Sequence, residues 1–224
     1  MTGVPLAEEL LLLAYDDETG KSTMPRISLD LGMAAAVLIE LALAERIAYA
    51  DGTLTAVDAT PTGEPVTDDV LARIAADPPH SPSNWVQRLR HGLRDSILGE
   101  LRDQGVVREV EETELGFIHV HRYPALDPSV KADTHQRLVS ALTGAAPDER
   151  TAALATLVVV LRMESTLGAT DEAAERARRR LSEIASGAGF TGEVSLADSV
   201  VRPSVGLVVA ALGRAVEAAL GPRS

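Results

Sequence analysis

The residues best suited to chemistry lie in one short run, Asn84-Trp-Val-Gln-Arg-Leu-Arg-His-Gly-Leu-Arg-Asp-Ser. Arg90 and Arg94 are four apart, and His91 and Arg94 are three apart. On a helix these spacings put all three on one side. Such a ridge can hold a phosphate, because a planar guanidinium offers paired N–H donors. The competing reading is a solvated face whose charges pair with nearby acids such as Asp95. Trp85, the sole tryptophan, reads as a core anchor near the start of the same helix.

Other chemistry is thinly represented. The five histidines are scattered at 80, 91, 119, 121 and 135. His119 and His121 are two apart on an expected strand and so share a face. With His135 they can in principle meet a metal, but no His-x-x-x-His spacing or carboxylate frame accompanies them. The alternative is a pair of solvated histidines on a hairpin. The carboxylate pairs Glu8-Glu9, Asp16-Asp17 and Asp68-Asp69 are sequence neighbours, which on a helix point ~100° apart and do not converge. Gly187-Ala-Gly189 lacks the strand before it and the lysine after it that a phosphate loop needs. No Gly-x-Ser-x-Gly elbow occurs. The expectation is a binding protein and not an enzyme, with no catalytic residue, cofactor or metal.

The elements that must position these residues are mostly helical. Pro5 suits a first helical turn, with Leu6, Leu10 and Leu13 at helical spacing. Ser28 is the expected N-cap of a long helix to Arg46. Ile47–Ala50, Asp51-Gly52 and Thr53–Val57 read as a hairpin with a type I′ turn. Thr67 is expected to cap a helix to Ala76, and Ser83 one that runs to Asp103 and stops at Gly105. Val106–Val110 and Leu115–Val120 form a second hairpin candidate. Further helices are expected from Asp127-Pro128 to Leu142, from Pro147 to Met163 and from Thr170. A loop at 187–192 follows, then a helix from Ser195, interrupted at Pro203. No alternation of strand and helix is present, so a parallel-sheet nucleotide fold is excluded. The fold class is mainly α, with two small β-hairpins, in a single domain over 1–224 whose core spans about 5–220.

Composition agrees. Apolar residues make up 46% of the 224, dominated by alanine, leucine and valine, with only 3% aromatic. Absence of cysteine excludes disulfides and thiolate sites. A net charge of −12 opposes nucleic acid. Residues 28–57 resemble a winged-helix fragment, but their acidity argues against DNA contact. No apolar run reaches the ~20 residues of a membrane span, and Met1–Pro5 is too short and uncharged for a signal peptide's leading region.

Taken in order, several segments resemble the Golgi phosphoprotein 3 family: Leu6-Ala-Glu-Glu-Leu-Leu-Leu-Leu-Ala-Tyr-Asp-Asp-Glu-Thr-Gly, Leu38-Ile-Glu-Leu-Ala-Leu-Ala-Glu-Arg-Ile, Pro61-Thr-Gly, and Arg94 followed by Leu101-Arg-Asp-Gln-Gly-Val-Val. The helix 130–142 and the apolar helix after Arg150 extend the likeness to about residue 215. The arginine-over-lysine bias, with only Lys21 and Lys131, fits a bacterial member. The resemblance implies a compact helical bundle wrapped by amphipathic helices. It also implies peripheral binding of phosphatidylinositol 4-phosphate at the cytoplasmic face of a membrane. The family's headgroup pocket falls here at Pro25, Ala34, His91 and Arg94. The family has a tryptophan at the first of these and arginines at the other three; only Arg94 matches outright, with protonated His91 a partial substitute, so the pocket is degenerate, with Arg90 or Arg26 compensating. The implied headgroup contacts are Arg94, His91 and Arg90. The family's membrane-entering or oligomer-forming hairpin corresponds to 106–124, with Leu115, Phe117 and Ile118 as its apolar tip. The alternative function is a cytoplasmic protein-interaction module that has lost phosphoinositide binding and forms homo-oligomers through that hairpin.

Overall fold

The computed structural model describes residues 4–114, 118–167, 171–187 and 202–221. Its centre is the helix α2 (Arg26–Leu43), which follows α1 (Leu6–Leu13). The sequence of α2 is apolar all round, the pattern of a fully enclosed helix, and from Leu31 to Ile39 every residue is buried. Its alanines let neighbours approach closely. At Gly32 a Cβ would sit 2.4 Å from a methyl of Leu161, so α7 (Glu149–Leu161) lies hard against it. α1 is also buried along its whole length, including Glu8 and Glu9. Around α2 pack α1, α7, α9 (Pro203–Leu220) and α4 (Pro82–Leu89), with α3 (Pro65–Ala76) and α5 (Leu93–Asp103) beside them. The amphipathic α6 (Ser129–Leu142) and α8 (Asp171–Gly187) cover the outside, and one 3-10 turn spans Glu164–Thr166.

Both hairpins form. β1 (Ile47–Ala50) pairs antiparallel with β2 (Thr53–Ala56), and Asp51 and Gly52 take φ of +50° and +81°, as a type I′ turn requires. β3 (Val110–Glu114) pairs with β4 (Ile118–Arg122). This second hairpin sits further along the chain than expected. Val106 and Val107 are buried instead; Val106 accepts hydrogen bonds from the amides of Leu126 and Asp127 through its carbonyl. Leu115 and Phe117 lie outside the described residues, and of Ile118 only the strand position is described. The loop expected at 187–192 and the helix start at Ser195 also lie largely outside them.

Helix boundaries depart from expectation where the capping chemistry is unusual. α2 begins at Arg26 behind Pro25, and Ser28 is buried inside its first turn, not at the N-cap. It ends at Leu43. Glu45 turns left-handed at φ +60°, and the amides of Glu45 and Arg46 donate to the carbonyls of Ala42 and Leu41 at 3.0 and 2.8 Å. This is a Schellman motif without its usual glycine, and Arg202 donates to the Leu43 carbonyl at 2.7 Å. α4 is capped by Ser81, whose hydroxyl accepts from the Asn84 amide at 3.3 Å, not by Ser83. The single helix expected from Ser83 to Asp103 is broken into α4 and α5 by Gly92, at φ +89°. Thr67 is buried within α3, while Asp68 reaches back to accept from the Thr62 amide and hydroxyl at 2.6 and 2.7 Å.

Candidate anion site between the helices and the second hairpin

The break at Gly92 decides where the basic residues go. Arg90 becomes the C-cap of α4, half-buried, with its Nε buried and lacking a hydrogen-bond partner. His91 is exposed in the turn and lines a small cavity of about 140 Å³ beside Arg73 of α3. Arg94 enters the first turn of α5 and faces elsewhere. The three residues therefore do not form one ridge. A continuous helix would have aligned them; one left-handed glycine rotates the following turn away.

Arg94 instead lines a cavity of about 410 Å³ with Tyr15, Arg26, His121, Arg122 and Tyr123. Several elements meet here. Tyr15 follows α1, Arg26 opens α2, and His121 and Arg122 end β4. The loop after α1 holds them together. Asp16 accepts from the Thr19 amide and hydroxyl at 2.8 and 2.6 Å. The Gly20 carbonyl accepts from the Tyr123 amide at 3.1 Å, and the Asp17 carbonyl from the Ala125 amide at 3.0 Å. The rings of Tyr15 and Tyr123 meet edge-on at 6.2 Å.

Gly20 makes this contact possible. Its φ is +63°, and a Cβ there would lie 2.3–2.5 Å from the backbone of Tyr123 and Pro124. Replacing Gly20 with alanine is expected to cost on the order of 2 kcal/mol, from the left-handed backbone and the forced separation together. Urea unfolding measures the loss, and near-ultraviolet circular dichroism should report the Tyr15–Tyr123 pair loosening. A neutral substitution would mean that the loop is not seated on the hairpin.

The electrostatics leave Arg94 only partly satisfied. Its side chain is 16% exposed. Its Nε lies 3.7 Å from Asp30 Oδ1 and has no hydrogen-bond acceptor, while Nη2 reaches Asp95 at 3.5 Å. Arg26 Nε is 3.7 Å from Asp30 Oδ2, and Arg122 Nε donates to Glu112 at 3.3 Å. All of these contacts are long for charge-assisted bonds, which favour ~2.7–2.9 Å. Burial raises the Tyr15 hydroxyl's pKa, with Arg94 pulling the other way. Burial, reinforced by Glu109, pushes Tyr123 up to about 12. Both phenols therefore stay neutral donors.

Of the positions equated above with the family's pocket, Pro25 heads α2, and Ala34 is fully buried in its middle. His119 and His121 are drawn into separate pairs, Nδ1 to Glu111 and Glu109 respectively, each at 2.8 Å. Among the described residues no group of three histidine, aspartate or glutamate side chains is placed to hold a metal. A larger groove of about 550 Å³ between α6 and α7 contains Arg137, but that guanidinium is already bonded to Glu9 and Thr151. Sequence spacing missed Tyr15, His121, Arg122 and Tyr123. The available signals were the strand alternation of His119 and His121 and the tyrosine directly after α1.

Comparison with known proteins identifies the lineage. The family model described as Golgi phosphoprotein 3 (GPP34) matches residues 6–219. Vacuolar protein sorting-associated protein 74 of Eremothecium gossypii is 26% identical over 161 residues, 61% of this chain and 48% of that protein. The protein of the same name from Schizosaccharomyces pombe is 26% identical over 163 residues, 62% of this chain and 48% of that protein. The matched stretch thus spans about half the length of these relatives. With the family match running through nearly the whole helical fold, the chain belongs to the Golgi phosphoprotein 3 family.

Proposed function

We propose that this chain is a non-catalytic, peripheral membrane protein that binds a phosphate-bearing lipid headgroup, with phosphatidylinositol 4-phosphate the ligand its family suggests. Arg94 is the central contact, and Arg26 and Arg122 flank it. This assignment replaces the Arg90–His91–Arg94 ridge. The observation that carries it is the Arg94 Nε, buried at the cavity without an acceptor. A buried donor left unmet is costly, and a phosphate oxygen is the acceptor that fits a guanidinium best. Among the described residues no helix is long and apolar enough to cross a membrane, so attachment would be at the surface.

The expected result is co-sedimentation with phosphatidylcholine vesicles carrying phosphatidylinositol 4-phosphate, weakening as salt rises. Arg94→Glu should lower that affinity at least about tenfold, since it reverses a charge in contact with the ligand. Inorganic phosphate as a soluble competitor separates recognition of the lipid from recognition of free anion. Unchanged vesicle binding by a folded Arg94→Glu variant would remove the proposed site.

One observation favours a second reading, a protein-interaction module. β3 and β4 pair only with each other among the described residues, and each strand has a further edge. Open edges template pairing with another chain. The exposed Glu111 and Glu112 on this hairpin disfavour contact with an anionic membrane. Absence of vesicle binding together with a dimer in analytical ultracentrifugation would support this reading over the first.

A further inference from the structure

We propose that His121 is a proton-dependent cation of the anion site, so that headgroup binding tightens as its ring takes up a second proton. The inference rests on the headgroup reading above. His121 lines the cavity of Arg94 on one side and a neighbouring cavity of about 380 Å³ on the other. Its side chain is 54% exposed, so protons and ligand reach it freely.

The hydrogen bonding fixes which nitrogen is available. Nδ1 lies 2.8 Å from Glu109 Oε1. The same carboxylate accepts from the Tyr123 hydroxyl at 3.3 Å and from Arg102 at 3.3 Å. Donors thus converge on the Glu109 carboxylate from three sides, and its oxygens accept from each. Nδ1 therefore carries the hydrogen, and Nε2 is the position that gains or loses a proton.

The surrounding charges make one proton count. From α5, Arg94 meets Asp95, and Arg102 meets Glu109. From α2, Arg26 meets Asp30. On the hairpin, Arg122 meets Glu112, and His119 meets Glu111, which stands opposite His121 in register. The tyrosines from either side remain neutral. Four arginines around the cavity each face an acid, and Glu111 faces a histidine. Gaining a proton on His121 tips that balance toward the positive, in the same cavity as the Arg94 guanidinium, whose buried Nε lacks an acceptor. His121 would thus set the conditions under which Arg94 can hold an anion.

The test measures binding to phosphatidylcholine vesicles carrying phosphatidylinositol 4-phosphate from about pH 5.5 to about pH 8, a range bracketing the ordinary imidazole transition. Wild type, His121→Gln and Arg94→Glu are compared. The headgroup phosphate also titrates in this range, so the readout is the ratio of wild-type to His121→Gln affinity at each pH. That ratio should rise roughly fivefold from the alkaline to the acid end, as one added charge at hydrogen-bonding range would give. By reciprocity, adding inositol 4-phosphate should shift the His121 ring resonance titration to higher pH in NMR. A flat ratio with Arg94→Glu still deficient overturns the role of His121 and leaves the headgroup site standing. No Arg94-dependent binding at any pH overturns the site and this inference together.

Discussion

Glu8→Gln is expected to stabilise the protein above neutral pH and to change little near pH 4.5. Glu8 is 2% exposed in the first turn of α1. The Gln104 side-chain amide donates to its Oε1 at 3.4 Å. Burial raises its pKa from 4.5 to about 7; Glu100 adds to the rise, Gln104 opposes it, and Glu64 and Glu40 add smaller contributions. The sign follows from linkage. The folded state holds this proton more tightly than the unfolded chain, so the associated stability is fully present below about pH 4.5. It is lost as pH rises through about 7. With each pKa unit worth ~1.4 kcal/mol, the loss approaches about 3 kcal/mol once Glu8 is fully ionised. Glutamine keeps the shape and the contact with Gln104 but never ionises. At about pH 8 the variant should gain up to ~3 kcal/mol, a rise in melting temperature on the order of 5–10 °C for a chain of this size. Calorimetry at both ends of the range checks it. An equal gain at acid and alkaline pH would show that packing, not ionisation, was changed.

Arg150→Ala should be the most damaging single change outside the apolar core. Arg150 is 21% exposed and ties together the starts of α1 and α7 and the last turn of α2. Nη1 donates to Glu40 Oε1 at 2.7 Å, Nη2 donates to the Val4 carbonyl, and Nε lies 3.7 Å from Glu9 Oε2. Glu40 in turn accepts from the Leu6 amide at 2.8 Å, meeting one of the open donors at the start of α1. Alanine leaves the half-buried Glu40 without the guanidinium that meets it, and Glu9 with Arg137 alone. Breaking such a pair from one side costs about 3–5 kcal/mol. Urea unfolding should show that loss, and pairing Arg150→Met with Glu40→Gln should recover much of it, because neither partner is then stranded. A single-variant loss below ~1 kcal/mol would mean the carboxylate is effectively solvated.

Periodicity was enough for α1, α2, the type I′ hairpin at Asp51-Gly52 and α6, because each follows from local pattern or turn chemistry. It could not tell that Glu8 and Glu9 face inward, since adjacent acids in a leucine-rich helix look like a solvated edge until partners 128 residues away are in place. The C-terminus of α2 was misplaced because Glu45 adopts the conformation normally signalled by glycine. The candidate site was only half legible. Arg94 stood out, but the ridge drawn through it assumed a helix that Gly92 interrupts. The rest of the cavity comes from Tyr15, Arg26, His121, Arg122 and Tyr123, remote in sequence and brought together by the seat at Gly20. Spacing along one helix holds no record of such a meeting.

The seating of α1 has a consequence for the order of folding. Glu9 is held by Arg137 and Arg150, and the backbone at Val4 by Arg150, contacts that span 128 to 146 residues of chain. A leucine-rich helix of eight residues is too short to persist alone in water. Closing loops of that length must precede the reward. α1 can meet its sequence neighbour α2 early, but its first turn is secured only when α6 and α7 arrive, and until then part of its apolar surface stays open. Slow refolding accompanied by aggregation at high concentration is the behaviour such a topology carries with it.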